Sequence, residues 1–376
     1  MIPAAAARST PQIPAGVWLH ATDPERAPTL PVLAEQIADH PDAPPTLVTG
    51  TREAPGPTGD ARALDAMLDA FPARLLVLTG DRLPMPLIER ARARGMALML
   101  VDAVNPVPSG GWRILPGYRR SVLGRFTQIH ARDAVCAAAI ARIVKGAVPV
   151  PVSGRLALFA PVRGCNVPEL DALRQALGAR PVWFAHDLPE NEAGSVLVAH
   201  AQALRRAHRL LLIVQPRNPA AGAAIADRAT DAGFVRARRS IDEEITETTQ
   251  VYIADTDDDP GLFLRLAPVS YLGGSLTGGA GTPPAVTAAA LGSALVFGPH
   301  ADAAGRATLD RLQALAGGRR ISAAADLGEA IGALLSPDVG AEAALKAWSF
   351  ATEGSDATVA VARAICDWFA LNGRGE

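Results

Sequence analysis

Short apolar runs alternate with helical stretches along the whole chain. Runs of strand length, such as Leu75–Leu78 and Ala97–Val101, are apolar at every position rather than at alternate ones. Strands that are apolar on both faces are typical of a parallel sheet that helices cover on both sides. The helix expected at Leu87–Arg94 lies between these runs, with Pro86 at its first turn and Gly95 after its end. The pattern therefore predicts an α/β fold with doubly wound sheets.

The alternation of strands and helices occurs twice, and the chain of 376 residues is long for one hydrophobic core. A proline-spaced segment at Ala147–Ser153 separates the two series and is the expected linker. We therefore predict a first domain at residues 1–150, a second at 151–345, and a C-terminal helix at 346–376 that could pack back on the first domain. The main strands expected in the second series are Leu156–Ala160, Val182–Ala185, Leu210–Val214, Val269–Leu272 and Ala294–Phe297.

Composition and charge exclude several classes of function. The net charge of −2 gives no support to nucleic-acid binding, which usually needs a clearly basic face. The cysteines (Cys136, Cys165 and Cys366) have no metal-ligand spacing, and the histidines form no HxxxH or HExxH pattern, so we expect no metal site and no cofactor. Reduced thiols suit a cytoplasmic compartment. No window reaches eighteen apolar residues, so we expect no membrane-spanning helix.

The segment of residues 251–300 carries the clearest functional signal. A strand at 269–272 is followed by glycines at 273, 274, 278, 279 and 281, then by a helix of small residues, a strand at 294–297, and Gly298-Pro299-His300. Glycine lets a backbone approach a ligand closely, and the N–H groups at a helix start attract anions. The pattern indicates a nucleotide or sugar-phosphate site, and a purely structural tight turn is the alternative.

The chain also contains a series of short blocks at the spacing of a known family. They read VWLHA at 17–21, FPARLLVL at 71–78, PVWFA at 181–185, VQPRNP at 214–219, GGSL at 273–276 and GPH at 298–300. In these blocks the chain resembles the 3-deoxy-D-manno-octulosonic acid (Kdo) transferases, GT-B glycosyltransferases that move Kdo from CMP-Kdo onto a lipid A precursor. The family's donor loop GGHNPLE reads GTPPAVT here, so its Asn falls on Pro284 and its ribose-binding Glu on Thr287.

The resemblance implies a GT-B fold, with two Rossmann-like domains facing a central cleft. It further implies inverting transfer of Kdo from CMP-Kdo to a lipid A precursor in lipopolysaccharide core biosynthesis, by a cytoplasmic protein that could lie peripherally at the inner membrane. We expect no counterpart of the family's N-terminal anchor helix, since the first strand begins near Val17. The alternatives are a catalytically degenerate paralogue that binds a ligand or partner, and a glycosyltransferase with a different donor.

Individual residues receive roles from the same resemblance. Glu25 takes the place of the general base that acts on the acceptor hydroxyl, and a solvated loop acid is the alternative. Arg217 follows a buried strand, where a guanidinium can bind the leaving phosphate, although a surface arginine at a helix start is also compatible. The predicted donor-binding residues are Arg217, Gly273, Gly274, Ser275, Gly281, Thr287, Gly298 and His300.

Aromatic and basic residues interleave between Trp112 and Arg125. Such a patch could meet acceptor phosphates or anionic lipid head groups, and a solvated face is the alternative. Within it we predict Arg113, Arg119 and Arg120 as acceptor-binding residues. The acidic run at 255–259 precedes a helix, where acids favour the positive end of the helix dipole, so we predict a capping role rather than a calcium site.

Overall fold

The computed structural model describes residues 16–56, 61–109, 117–159, 162, 164–256, 261–279, 281–301 and 303–372. They form two compact units, of which one contains the described residues up to 159 and from 353 onwards, and the other those from 162 to 352. Each unit contains a parallel sheet with helices. The predicted α/β fold class, with two doubly wound, Rossmann-like domains, is therefore confirmed.

The first unit contains a five-stranded sheet. Its elements in chain order are β1 (Gly16–Ala21), α1 (Thr29–Ala38), β2 (Thr46–Thr49), α2 (Ala61–Ala70), β3 (Ala73–Thr79), β4 (Arg82–Leu83), α3 (Met85–Ala93), β5 (Ala97–Ala103), β6 (Val107–Pro108), α4 (Tyr118–Leu123), β7 (Gln128–Ala131) and α5 (Ala134–Val144). The strand order is β2-β1-β3-β5-β7, and β4 pairs with β6 separately. Leu76 and Leu98 pack into the core on one face of the sheet, while Val77 and Met99 pack on the other. Burial of both faces is the physical reason for the continuous apolar runs.

The second unit contains a seven-stranded sheet. Its elements are α6 (Val167–Leu177), β8 (Val182–Leu188), α7 (Ala193–Leu204), β9 (Leu211–Pro216), α8 (Gly222–Asp231), β10 (Arg236–Arg238), β11 (Val251–Ile253), α9 (Gly261–Leu264), β12 (Val269–Leu272), α10 (Ala285–Ala290), β13 (Ala294–Phe297), α11 (Ala303–Ala314), β14 (Gly318–Arg320), α12 (Leu327–Leu334) and α13 (Pro337–Ala351). Single turns of 3₁₀ helix include Glu190–Glu192.

The strand order of this second sheet locates its expected ligand site. The order is β10-β11-β9-β8-β12-β13-β14, with every pair parallel. Without the short edge strand β10, this is the doubly wound order 3-2-1-4-5-6. From β8 the chain adds strands towards one edge of the sheet, and from β12 it adds them towards the other edge, so the order of strands reverses between β8 and β12. In open α/β sheets, ligands bind at the carboxyl ends of the strands at such a switch point.

The strand predicted at Leu156–Ala160 is wrong for residues 156–159, which form no strand. Leu156 is instead buried in the core of the first unit, and the Ala157 N–H donates to the Thr358 hydroxyl at 2.8 Å. Residues 151–159 therefore belong to the first unit, beyond the predicted boundary at 150.

The C-terminal region consists of two helices rather than one. Helix α13 continues through the predicted boundary at 345 and belongs to the second unit. Gly354, with φ of +84°, separates it from the last helix, α14 (Ser355–Asn372). Helix α14 lies in the first unit, where Val361 and Ile365 pack with Leu30 of α1 in one core cluster. Among the described residues, no helix combines the length and the apolar character that crossing a membrane requires.

Candidate functional site

The glycine loop of residues 273–281 begins where β12 ends, at the switch point of the second sheet, and Glu192 organises it. Glu192 is 1% exposed. Its carboxylate accepts hydrogen bonds from the N–H groups of Gly274 (2.9 Å), Leu276 (3.0 Å) and Thr277 (2.8 Å), and from the Thr277 hydroxyl (2.9 Å). The Tyr271 hydroxyl also donates to it at 2.7 Å. These three backbone N–H groups are therefore not available to a ligand anion, contrary to the expected use of the loop.

Burial and the Glu192 carboxylate raise the pKa of Tyr271 well above its usual value. Its hydroxyl therefore stays protonated and can donate to Glu192 throughout the physiological range. A buried carboxylate with this many donors is fully compensated for the loss of water, so it holds the loop in one geometry.

Ser275 and Gly298 connect the glycine loop to the end of β13. Ser275 is fully buried; its hydroxyl donates to the Leu272 carbonyl at 2.5 Å and accepts from the Gly298 N–H at 2.8 Å. An ideal Cβ on Gly298 would lie 2.2 Å from the Ser275 carbonyl oxygen. Glycine at 298 is therefore required by the close approach of two backbone segments. Both predicted residues have contacts that fix the loop.

Arg217 lies after β9 and is paired with Asp187, which lies in β8. The Nε and Nη2 atoms of Arg217 both donate to Asp187 Oδ2, at 3.0 and 2.7 Å. Nη2 also donates to the Gly281 carbonyl at 3.1 Å and lies 3.5 Å from the Gly273 carbonyl. The guanidinium therefore joins the ends of three chain segments, and a ligand phosphate would meet an arginine that already has a carboxylate partner.

A small pocket of about 210 Å³ lies against this loop. Ligand pockets usually enclose about 300–1,000 Å³, so this one can hold only part of a ligand, such as a single ring or a phosphate group. No group of three or more acidic, histidine or cysteine side chains in the described part of the chain could hold a metal ion. The pocket is lined by Gly274, Gly278, Gly279, Gly281, His300 and Ala301.

His300 and Thr287 were both predicted to bind the donor, and of these two residues His300 lines the pocket while Thr287 does not. His300 is exposed, lines the pocket, and donates its backbone N–H to the Ser275 carbonyl at 2.9 Å. Its ring lies close to Gly278, where an ideal Cβ would be 3.0 Å from the imidazole Cγ. Thr287 is half-buried in the short helix α10 and is not among the residues that line the pocket.

The predicted base of the first unit, Glu25, lies in the loop after β1 and is exposed. Its backbone N–H donates to Asp23 Oδ1 at 3.0 Å, but its carboxylate has no hydrogen-bond or ion-pair partner among the described residues. A cavity of about 490 Å³ lies beside this loop. Its lining is Pro24, Ala27, Pro28, Pro31, Gly50, Thr51, Arg52 and Glu53.

Ion pairs hold the strand ends next to Glu25. Arg26 donates to Asp81 Oδ2 at 2.8 Å and to the Asp102 carbonyl at 3.0 Å. Arg132 binds both carboxylate oxygens of Asp102, at 2.7 and 3.1 Å. Asp102 is 1% exposed, so these arginines compensate a buried charge at the end of β5. The backbone of Asp102 lies in the left-handed region, with φ of +53°. This network was not predicted from the sequence.

The three arginines predicted to bind the acceptor are only partly described, since Arg113 lies outside the described residues. Arg119 is half-buried and donates to Asn105 Oδ1 at 2.8 Å. Burial lowers the pKa of Arg119, and its Nε has no hydrogen-bond partner among the described residues. Arg120 is exposed.

Asp187 and Glu192 are the residues of this site that sequence reasoning missed. Both follow the apolar start of β8, the central strand of the sheet, where parallel α/β folds place ligand groups. That position is the signal that could have found them. His186 lies beside them at the same strand end, and burial lowers its pKa to about 4, so the imidazole is neutral at physiological pH.

Comparisons with known proteins agree with the resemblance found in the sequence. No protein-family model matches the chain. The chain is 31% identical over 105 residues to a 3-deoxy-D-manno-octulosonic acid transferase of Haemophilus influenzae, which is 28% of this chain and 25% of the relative. It is 31% identical over 129 residues to a probable mitochondrial transferase of the same name from Arabidopsis thaliana, 34% of this chain and 29% of the relative. The matches thus span about a quarter of the curated relatives.

Solved structures include partial likenesses. The C-terminal CMP-Kdo binding domain of WaaA from Acinetobacter baumannii matches with a TM-score of 0.45 and 23% identity, over 49% of this chain and 96% of that one. Acinetobacter baumannii MurG matches with a TM-score of 0.46 and 13% identity, over 94% and 100% of the chains. The chain is similar in sequence to Kdo transferases, and the predicted resemblance to that family is confirmed.

Proposed function

We propose that this protein is a glycosyltransferase that moves Kdo from CMP-Kdo to a lipid A precursor, with inversion of configuration at the anomeric carbon of the sugar. The observation that carries the proposal is the glycine-lined pocket at the switch point of the second sheet. Doubly wound sheets with this strand order bind nucleotides at that position. The sequence similarity to curated 3-deoxy-D-manno-octulosonic acid transferases supports Kdo as the sugar that is transferred.

The second domain would bind the donor. The pocket bounded by Gly278 and His300 has room for one small group, and His300 is exposed and can donate a hydrogen bond to it. Arg217 lies behind two of the lining glycines and carries the positive charge that a departing CMP phosphate needs. A rigid loop, fixed by Glu192, would present these groups without reorganisation during the reaction.

The first domain would bind the acceptor. Glu25 is exposed and its carboxylate has no partner among the described residues, so it is free to take the proton of an acceptor hydroxyl. The adjacent cavity has a wall of prolines and alanine, which suits an acceptor with apolar parts. We therefore infer that the acceptor enters beside the loop of residues 22–26.

The test is CMP release from CMP-Kdo in the presence of a lipid A precursor. The wild type is expected to turn over, and Glu25→Ala is expected to lower turnover about 100-fold or more, because general base catalysis contributes about 10²–10⁴-fold. Arg217→Ala is expected to lower turnover as well, by weakening stabilisation of the leaving phosphate. Absence of any turnover by the wild type would contradict the proposal.

A second candidate function is ligand binding without catalysis. Two observations favour it: the guanidinium of Arg217 is already paired with Asp187, and proline and threonine occupy positions 284 and 287 of the donor loop. CMP binding by calorimetry without CMP-Kdo turnover would support this candidate over the transferase.

A further inference from the structure

The ion pair between Asp187 and Arg217 adjoins the pocket of the glycine loop. Gly274 and Gly281 both line the pocket. The Gly281 carbonyl accepts from Arg217 Nη2 at 3.1 Å, and an ideal Cβ on Gly274 would lie 2.9 Å from the same atom. An anionic group that reached Arg217 from the pocket would therefore also come close to the Asp187 carboxylate.

Asp187 differs from the other acid of the site in how firmly it is held. Glu192 is 1% exposed and accepts hydrogen bonds from several residues of the loop. The side chain of Asp187 is 31% exposed, and within the described part of the chain its carboxylate accepts hydrogen bonds from Arg217 only. A ligand could thus displace Asp187 from the guanidinium, whereas Glu192 is a fixed part of the loop.

We infer that Asp187 is a specificity-determining residue of this pocket, whose carboxylate occupies the Arg217 guanidinium as an internal anion and lowers the affinity for anionic ligands. The inference rests on the proposed function for its choice of ligand, the phosphate of CMP. An opposite charge at 2.7 Å cancels much of the attraction that Arg217 offers to a phosphate. A ligand phosphate is also repelled by the carboxylate, since like charges at one site disfavour each other.

The backbone at position 187 allows a clean test. Asp187 has φ of +54°, in the left-handed region, which asparagine adopts as readily as aspartate. Asp187→Asn therefore removes the charge while it keeps the shape and the backbone geometry. Glu190→Gln is the matched control, because Glu190 lies in the same domain and its carboxylate pairs with Arg228, at 2.8 Å, rather than with Arg217.

The experiment is calorimetric titration of CMP and of cytidine into the wild type, Asp187→Asn and Glu190→Gln. Asp187→Asn is expected to bind CMP about tenfold more tightly than the wild type, because the like charge is gone and the guanidinium is released. Cytidine, which has no phosphate, is expected to bind equally to all three proteins. The gain for CMP is expected to shrink at high salt, since the pair is partly exposed.

The double variant Asp187→Asn with Arg217→Ala is expected to lose the gain in CMP affinity. Unchanged CMP binding by Asp187→Asn would overturn the inference. Weaker CMP binding would overturn it as well and would indicate that Asp187 positions Arg217. A gain that persists without Arg217, or that Glu190→Gln reproduces, would also overturn it. Failure of the proposed function is seen separately, as absent turnover of CMP-Kdo by the wild type, while the comparison of CMP with cytidine still decides the role of Asp187.

Discussion

Two acids, each in the segment that follows a strand and one in each domain, have opposite surroundings. Glu192 in the second domain is 1% exposed, and three backbone N–H groups and two hydroxyls donate to it. Glu25 in the first domain is exposed, and its carboxylate has no partner among the described residues. The carboxylate of Glu192 is held in one position by its hydrogen bonds, whereas the carboxylate of Glu25 is accessible to a ligand in the neighbouring cavity.

Because of this difference, we expect Glu192 to contribute to the stability of the fold and Glu25 to contribute to turnover. A buried carboxylate whose two oxygens both accept hydrogen bonds within the protein is not open to a substrate, and its removal leaves several donors unsatisfied. An exposed carboxylate adds little to stability, yet it can approach a substrate hydroxyl. Changes at the two positions should therefore give opposite patterns, one in unfolding experiments and the other in turnover.

The largest effect on stability is expected for Glu192→Ala. It leaves the N–H groups of Gly274, Leu276 and Thr277 without their acceptor. Because each unsatisfied buried donor costs about 1–3 kcal/mol, the free energy of unfolding should fall by more than about 3 kcal/mol. The matched change Glu190→Ala breaks only an exposed pair and should cost about 0–1 kcal/mol. Equal losses in urea unfolding would contradict the comparison.

Glu25→Gln should show the reverse pattern. Turnover of CMP-Kdo is expected to fall about 100-fold because the base is lost, while the free energy of unfolding should change by less than about 0.5 kcal/mol, as for other surface positions. Asp39→Asn removes an exposed acid at the end of α1 and serves as the control, with turnover like that of the wild type. A stability loss in Glu25→Gln equal to its loss of activity would show that the loop acid is structural.

A smaller effect is expected for Gly298→Ala. The new methyl group would lie 2.2 Å from the Ser275 carbonyl oxygen, so the backbone must shift at a cost of about 1–3 kcal/mol. Gly194→Ala is the control of opposite sign: no atom outside its own helix lies within 4 Å of its Cβ position near the start of α7, and alanine should stabilise the helix by up to about 1 kcal/mol. Thermal unfolding of both variants distinguishes close backbone approach from a general effect of removing glycine.

The two domains should differ least in their response to acid. Each contains two buried histidines, and burial lowers their pKa values to about 4: His20 and His130 in the first domain, His186 and His200 in the second. The unfolded pKa is about 6.5, so between pH 6.5 and 4 the unfolded chain binds more protons than the folded one. The contribution of these neutral histidines to the free energy of unfolding should therefore be fully present above pH 6.5, and the free energy of unfolding should fall as the pH is lowered towards 4. A constant value from pH 7 to pH 5 would contradict this.

The fold could be predicted further than the site. Strands such as β3 and β5 are apolar throughout because both faces of the sheet are buried, and that pattern is visible in the sequence. The glycine loop was also visible in the sequence, but for a different reason: its composition reflects close contacts between backbone segments. The partners of Glu192 and Arg217 were not predictable, because they depend on strand neighbours that are distant in sequence: Glu192 and the residues that bind it are 79 to 85 positions apart. Leu156 was misassigned because an apolar run that packs against α14 looks like a strand.

The most direct test of the proposed donor site is a structure of the protein with CMP bound. The phosphate of CMP is expected to lie in the pocket lined by Gly278 and His300, at the carboxyl ends of β12 and β13, with the glycine loop unchanged. CMP bound elsewhere on the second domain, or a loop that must leave Glu192 to admit it, would contradict the claim that this preformed pocket is the donor site.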